Sequence, residues 1–295
     1  MNKNLFCSIK KFAMTGWVLL SLFACASPIK SSGLVDLAVE TEKRLDARIG
    51  FSVYDYQSGK RWEYNANDRF PLTSTFKALA CAAVLERVDA GDEDLQRVVM
   101  VRESDLVPYA PVTEKRLGGQ GMTLYELCDA AMSMSDNTAA NLVLRSLGGP
   151  QGVTEFARRI GDSLTRLDRW EIGLNEASPG DLQDTTTPNA MARNLRRLVF
   201  GGVLSTDSRR QFEDWLVGNK VAGSLIRAGI PADWRVGDRT GAGGYGSRSI
   251  VAVIWPPERK PVIVAIYMTE TTASLDERNA AIAGMAEALV EELSR

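Results

Sequence analysis

The spacing of hydrophobic positions gives the chain two strand-containing ends and a long helical middle. Residues 34–45 repeat apolar side chains at helical spacing, whereas residues 48–56 and 61–64 are typical of two neighbouring strands. Near the other end, residues 250–255 and 262–268 are uninterrupted apolar runs. Strands of this kind are buried on both faces, so we expect helices on both sides of the sheet.

The middle of the chain carries several local helix signals. Residues 78–85 are apolar without interruption, which predicts a helix that is buried on all sides. A capping box at residues 123–126 opens another helix, and a second box at residues 274–277 opens the final one. Residues 187–188 are Thr-Pro, which favours a helix that begins at the proline.

Together these elements predict an α/β (α+β) fold. An antiparallel sheet is covered by helices on both faces, and an all-helical domain is inserted between its strands. We place the α/β domain at residues 27–66 and 218–295, and the helical domain at residues 67–217. The cleft between two such domains is a common place for a ligand site.

Residues 162–184 follow neither pattern, because they are polar and charged without periodicity. Loops of this length are uncommon and are usually functional or disordered. Since this one contains Trp170, Leu174 and several charges of both signs, we expect an ordered loop.

The first 26 residues are typical of a secretion signal. A positively charged start precedes residues 12–24, which are mostly apolar but too few to span a bilayer stably. The small-x-small pattern at residues 24–26 predicts cleavage before Ser27 and a periplasmic protein. A lipoprotein box ending at Cys25 is the alternative, although Phe23 is large for such a box.

Charge and composition narrow the class of function. Removal of the signal takes away three lysines and no acidic residue, which changes the net charge from −2 to −5. That charge argues against nucleic acid and against an anionic membrane surface as partners. The chain contains no histidine, which excludes Ser-His-Asp and Cys-His catalytic units and metal sites that need imidazole. Any hydrolysis must therefore use Lys, Glu, Asp, Tyr or Ser to move protons.

Two cysteines, Cys81 and Cys128, remain in the mature chain. In an exported protein such a pair suggests one disulfide, and two buried free thiols are the alternative. Closing a loop of this length would contribute roughly 4 kcal/mol in the chain-entropy description.

Ser74 and Lys77 form the first candidate for chemistry. Because they are three positions apart on a predicted helix, their side chains lie on the same face. The N-terminus of that helix would stabilise a developing oxyanion near Ser74. Desolvation would lower the pKa of Lys77 and suit it to accept the serine proton. The spacing alone is weak evidence, because it also occurs at residues 8–11 and 27–30, and Ser74 could instead cap the helix.

Two further motifs follow in the chain. Ser135-Asp136-Asn137 lies between two predicted helices, where its residues could be caps. In a catalytic role, Ser135 would relay a proton and the Asn137 amide would reach the substrate or Lys77. Arg239-Thr240-Gly241 is expected where a strand begins, and offers a cation and a hydroxyl to a substrate carboxylate. A turn with a solvated arginine is the alternative.

These three motifs, in this order, resemble those of the serine β-lactamases and penicillin-binding proteins. The chain resembles a class A β-lactamase along nearly all of its mature length. The resemblance implies the serine β-lactamase/penicillin-binding-protein-like fold and hydrolysis of the β-lactam amide of penicillins. It also implies no metal, no cofactor and a monomer.

A fourth motif separates the lactamases from their relatives. Glu171 and Asn175 match the family's Glu-x-x-x-Asn, which holds a water for deacylation, and they lie inside the irregular loop. Glu63 and Asn67 have the same spacing by chance, so the placement matters. Many relatives have proline where this chain has Ile172, often after a cis peptide, and the sequence leaves the isomer open.

The resemblance assigns roles to the individual residues. Ser74 attacks the lactam carbonyl, and the backbone N–H groups of Ser74 and Ala242 form an oxyanion hole. Lys77, or Glu171 through a water, takes the serine proton, and Ser135 relays a proton to the lactam nitrogen.

The remaining implied roles concern deacylation, substrate binding and structure. Glu171 with Asn175 activates the deacylating water, and Asn137 reaches toward the substrate. Thr240, Arg239 and Arg248 would bind the substrate carboxylate, and Tyr109 would be an aromatic residue at the rim of the site. The resemblance also implies an ion pair between Arg169 and Asp184 that joins the ends of the loop. It further implies a disulfide between Cys81 and Cys128.

Arg239 stands where most relatives have lysine, which resembles the carbenicillin-hydrolysing subgroup. Arginine stays charged and offers a planar fork, whereas lysine is a point charge. We therefore expect Arg239 to favour penicillins that carry a side-chain carboxylate.

Two other functions share the first three motifs. A penicillin-binding transpeptidase or carboxypeptidase would stay acylated, and a β-lactam sensor would acylate without turnover. Glu171 in its loop favours the lactamase over the first. A sensor would be expected to carry transmembrane segments, which the mature sequence lacks.

Overall fold

A computed structural model of the protein describes residues 33–294. The predicted signal segment and the alternative lipidation site at Cys25 lie outside the described residues. Within residues 33–294, none of the helices is both long enough and apolar enough to cross a bilayer.

The described residues form helices and a central antiparallel sheet. The helices are α1 (Gly33–Leu45), α2 (Phe76–Asp89), α3 (Leu124–Ser133), α4 (Asn137–Ser146), α5 (Pro150–Arg159), α6 (Pro188–Phe200), α7 (Thr206–Val217), α8 (Ile226–Gly229) and α9 (Leu275–Leu293). The strands are β1 (Arg48–Asp55), β2 (Arg61–Tyr64), β3 (Phe70–Pro71), β4 (Val98–Val99), β5 (Met122–Thr123), β6 (Thr185–Thr186), β7 (Arg235–Ala242), β8 (Arg248–Trp255) and β9 (Val262–Thr269).

The main sheet has the strand order β2-β1-β9-β8-β7, and all its pairings are antiparallel. Its strands therefore come from both ends of the chain, and α2 to α8 lie between β2 and β7 in the sequence. This arrangement confirms the predicted fold class. The exact boundaries of the two domains stay a prediction.

Both faces of the sheet are covered, as the apolar strands predict. Side chains alternate between the two faces of a strand. On β8, Val251 and Val253 pack into the core that contains α2, whereas Ile250 and Ile254 pack into the core that contains α1 and α9.

The local helix signals are also confirmed. Every residue from 76 to 85 in α2 is buried. Both capping boxes are formed, at residues 123–126 before α3 and at residues 274–277 before α9. The Thr187 hydroxyl caps α6, whose first residue is Pro188.

Residues 162–184 are an ordered loop held by one arginine. Arg169 forms ion pairs with Asp184 at 2.5 Å, with Asp181 at 2.9 Å and with Glu176 at 2.9 Å. The loop therefore has its two ends joined, and Leu174 anchors it in the core. The Glu171-Ile172 peptide, which the sequence left open, is cis.

Cys81 in α2 and Cys128 in α3 are neighbours in the core. The Cys81 sulfur lies 3.9 Å from the Cys128 carbonyl oxygen, and both residues are buried. Both are free thiols in this structure, so the expected disulfide is not formed in it. Burial raises the pKa of the Cys128 thiol well above its ordinary value. Pairing of these cysteines in the exported protein stays a prediction.

Candidate active site

Ser74 lies in a short 3-10 turn, Thr73–Thr75, that leads directly into α2. Its hydroxyl makes no capping hydrogen bond to the helix. Instead, Ser74 Oγ lies 3.3 Å from Ser135 Oγ and 3.4 Å from Glu171 Oε1. The capping role considered for Ser74 is therefore wrong, and its hydroxyl faces two other polar side chains.

Lys77 follows one turn later and is fully buried. Its Nζ donates to Asn137 Oδ1 at 2.7 Å and to the Ser135 carbonyl oxygen at 2.9 Å, and lies 3.2 Å from Ser135 Oγ. Nζ also lies 3.1 Å from Glu171 Oε1. Burial lowers the pKa of Lys77 from 10.5 to about 8, although the Glu171 carboxylate opposes this shift.

Only one residue of Ser135-Asp136-Asn137 is a helix cap. Asp136 accepts from Ala139 N at 2.8 Å at the start of α4. Ser135 has a positive φ of 60° and faces Ser74, whereas Asn137 contacts Lys77 through Oδ1 and donates to the Pro108 carbonyl through Nδ2. The cap thus fixes the loop that presents the other two side chains.

Glu171 is held at both its carboxylate and its backbone. Asn175 Nδ2 donates to Glu171 Oε2 at 2.6 Å. Asn141 accepts from the Glu171 backbone N–H at 3.0 Å and donates to its carbonyl oxygen at 3.0 Å. Sequence reasoning missed Asn141. Its position four residues after Asn137 in α4 puts both on one helix face, and that spacing could have identified it.

Arg239, Thr240 and Gly241 lie in the second half of β7, and the expectation that they mark its beginning is wrong. The strand starts at Arg235, because residues 235–238 already pair with residues 252–255 of β8. The side chain of Arg239 is completely buried, and its Nη2 donates to Ser135 Oγ at 2.5 Å. Among residues 33–294, its Nε and Nη1 have no hydrogen-bond partner. Burial lowers the pKa of Arg239 to about 10, so it stays charged at neutral pH.

Gly241 allows β7 to approach Ser74 closely. A Cβ atom at this position would collide with Thr73 Oγ1 and Ser249 Oγ and would lie 2.9 Å from Ser74 N. The Thr73 and Ser249 hydroxyls are themselves 2.8 Å apart and join the turn that contains Ser74 to β8. Glycine is thus required to keep β7 next to the backbone of Ser74.

Arg248 is fixed at the first position of β8. Its Nη1 donates to the Gly241 carbonyl oxygen at 2.9 Å and its Nε donates to Asn279 Oδ1 at 2.8 Å. Burial lowers the pKa of Arg248 to about 10. Both contacts orient its guanidinium group toward the end of β7.

A cleft of about 350 Å³ collects most of the predicted residues. Three predicted residues do not line the cleft but are buried next to it. Glu171 contacts Ser74, and Lys77 and Arg239 contact Ser135. The lining residues are Ser74, Tyr109, Ser135, Asn137, Asn175, Val221, Thr240, Gly241, Ala242, Arg248 and Leu275. Val221 and Leu275 carry no motif and are brought here only by the fold.

Residues 36–293 match the model of the β-lactamase enzyme family. That match spans nearly all of the described residues, and the fold and the cleft agree with it. The chain therefore belongs to the β-lactamase enzyme family, in its class A.

The relatives support the same class. The chain is 48% identical over 272 residues to β-lactamase PSE-4 of Pseudomonas aeruginosa, covering 92% of this chain and 94% of the relative. It is 47% identical to β-lactamase AER-1 of Aeromonas hydrophila, with 92% of each chain covered. The solved structure of an ancestral class A β-lactamase is 54% identical, with a TM-score of 0.86 over 88% of this chain and 99% of that one.

Proposed function

We propose that the protein hydrolyses the β-lactam amide bond of penicillins, carbenicillin included, through an acyl-enzyme on Ser74, and so confers antibiotic resistance. The observation that carries this proposal is the position of the Ser74 hydroxyl, 3.4 Å from Glu171 Oε1 and 3.3 Å from Ser135 Oγ. One carboxylate is thereby close to the nucleophile in acylation and to the ester in deacylation.

Acylation begins when Glu171 takes the proton of Ser74, whose oxygen attacks the lactam carbonyl carbon. Glu171 is the base in this proposal because it contacts Ser74 directly, whereas Lys77 donates hydrogen bonds to surrounding oxygens. The backbone N–H groups of Ser74 and Ala242 stabilise the oxyanion. Ser135 then delivers its hydroxyl proton to the lactam nitrogen as the C–N bond breaks. Lys77 Nζ, which lies 3.2 Å from Ser135 Oγ and 3.1 Å from Glu171 Oε1, returns a proton to Ser135 and receives the one that Glu171 took from Ser74.

Deacylation uses the same carboxylate on a water molecule. Glu171, oriented by Asn175, removes a proton from water, whose oxygen attacks the ester carbonyl. The ester C–O bond breaks, Ser74 recovers a proton and the penicilloate leaves. This second step distinguishes a lactamase from a protein that stays acylated.

Substrate binding is assigned to the positive end of the cleft. Thr240 and Arg248 line the cleft and Arg239 lies directly beneath, so they would bind the carboxylate of the penicillin nucleus. The Nε and Nη1 nitrogens of Arg239, which have no hydrogen-bond partner among the described residues, support a further interaction with a side-chain carboxylate, as carbenicillin provides. Asn137, Asn175 and Tyr109 would contact the rest of the substrate.

We also propose that the chain is exported to the periplasm after cleavage before Ser27 and acts there as a monomer. N-terminal sequencing of the periplasmic fraction tests the cleavage site. An acylated Cys25 at the N-terminus would contradict it.

Continuous turnover of nitrocefin tests the function. The expected result is sustained colour development that ends when the substrate is exhausted, and none with the matched Ser74→Ala variant. A single burst equal to the enzyme concentration would instead indicate a penicillin-binding transpeptidase or a β-lactam sensor.

A further inference from the structure

Four arginines form a cluster on the side of the sheet that carries α6, away from the candidate active site. Arg193, Arg196 and Arg197 occupy positions i, i+3 and i+4 of α6 and therefore share one face of that helix. Arg61 of β2 lies beside them, because it lines the same cavity as Arg193 and Arg196. We refer to these four residues as the arginine cluster.

Aromatic rings hold two members of the arginine cluster in place. The guanidinium carbon of Arg196 lies 5.0 Å from the ring centroid of Tyr54 and 5.7 Å from that of Tyr56. Arg61 contacts the same Tyr54 ring at 5.4 Å. Cation–π contacts of this kind fix the guanidinium planes before any ligand arrives, so the entropy lost on binding is smaller.

The positive charge of the arginine cluster is only partly balanced by nearby carboxylates. Within residues 33–294, Arg61, Arg193 and Arg196 form no ion pair. Glu63 lines the same cavity as these three arginines but does not pair with them. Like charges held this close repel one another, so an external anion would stabilise the arrangement. This is unexpected in a chain whose net charge is −2.

The arginine cluster also has a cavity to receive an anion. A pocket of about 390 Å³ is lined by Arg193, Arg196 and Arg197 and by Tyr56, Phe200 and Gly201. The rings of Tyr56 and Phe200 contact each other at 4.8 Å, which gives the pocket a firm apolar wall. Arg197 also donates to the Ile160 carbonyl oxygen, so its orientation is fixed as well.

We propose that this pocket binds a small soluble ligand with several phosphate oxygens, for which inorganic diphosphate is the simplest representative. Guanidinium groups recognise phosphate oxygens through two parallel N–H donors, and several fixed arginines favour a ligand with more than one charged group. The site is separate from the β-lactam cleft, with which it shares no lining residue.

Isothermal titration with inorganic diphosphate at low ionic strength tests the proposal. The Arg193→Ala/Arg196→Ala variant should bind with a Kd at least about ten-fold weaker, because charge-assisted contacts are lost. The matched control is Arg44→Ala/Arg116→Ala, which removes the same charge from exposed positions outside the pocket. It should keep the Kd of the unmodified protein within about two-fold, since distant exposed charges are screened.

The thermal midpoints of both variants show whether each is folded, independently of any activity. Equal loss of affinity in the two double variants, or no heat of binding with the unmodified protein, would overturn the proposal. Sedimentation with phosphatidylglycerol vesicles tests whether the arginine cluster binds the phosphate groups of a lipid surface instead. Binding to vesicles that diphosphate does not displace would assign the arginine cluster to a membrane surface and would also overturn the proposal.

Discussion

The ammonium group of Lys77 lies 3.1 Å from the carboxylate of Glu171, and neither side chain is exposed to solvent. A buried ion pair is costly to desolvate and is weak evidence for stability. Removing one partner leaves the other charge buried and uncompensated. We interpret the pair as a catalytic device that holds the Glu171 carboxyl group beside Ser74.

The first prediction concerns pH. The pKa of Lys77 is lowered to about 8, so its ammonium form is complete below that pH and is lost above it. Since the ammonium group holds Glu171 and Ser135 by hydrogen bonds, kcat/KM for benzylpenicillin should fall as the pH rises through about 8. A rise through the same pH would assign the acylation base to Lys77 instead.

The second prediction concerns Asn141, which binds both backbone groups of Glu171. Asn141→Ala should lower kcat about 100-fold, because a misplaced catalytic group loses its alignment with the ester. Asn189→Ala is the matched control, since it also removes a hydrogen-bonded asparagine, here one that contacts Ser52 and lies outside the cleft. Both variants should lose about 1–3 kcal/mol of stability, and only the first should lose activity. Equal kcat values in the two variants would disprove the role of Asn141.

The third prediction concerns Arg239. Arg239→Lys replaces a planar fork by a point charge and removes Nε and Nη1, the two nitrogens that have no hydrogen-bond partner within residues 33–294. The ratio of carbenicillin to benzylpenicillin efficiency should fall about ten-fold, with benzylpenicillin itself less affected. Steady-state kcat/KM values for the two substrates give this ratio. If the ratio does not change, Arg239 does not select the side-chain carboxylate.

The fourth prediction concerns Cys81 and Cys128, whose side chains are adjacent and buried. In protein purified from the periplasm we expect no free thiol when it is titrated in denaturant. Reduction should then lower the free energy of unfolding by about 4 kcal/mol, the loop-closure value. Two reactive thiols in the unreduced protein would show that the pair stays free.

Signals that are local in the sequence predicted most of the fold. The capping boxes at residues 123–126 and 274–277 and the Thr187-Pro188 start of α6 involve neighbours only, so the sequence contains the whole signal. The apolar runs of β8 and β9 were equally clear, because strands buried on both faces need no polar residue.

Contacts between residues that are far apart in the chain could not be predicted from the sequence. Asn141 reaches a residue 30 positions later, and Thr73 meets Ser249 across 176 positions. The start of β7 was misplaced because its first residues pair with β8, and residues 235–238 carry no apolar alternation that announces a strand. The start of such a strand depends on its pairing with a distant strand, and no local sequence pattern predicts that pairing.

The central claim is that Ser74 forms an ester which Glu171 then hydrolyses. Intact-protein mass spectrometry of Glu171→Ala after addition of benzylpenicillin tests it most directly. Acylation should continue more slowly, since Lys77, whose pKa is lowered by burial, can replace the missing base, whereas deacylation has no substitute. The account predicts a lasting adduct of one penicillin on the peptide that contains Ser74. Normal turnover without an adduct would contradict it.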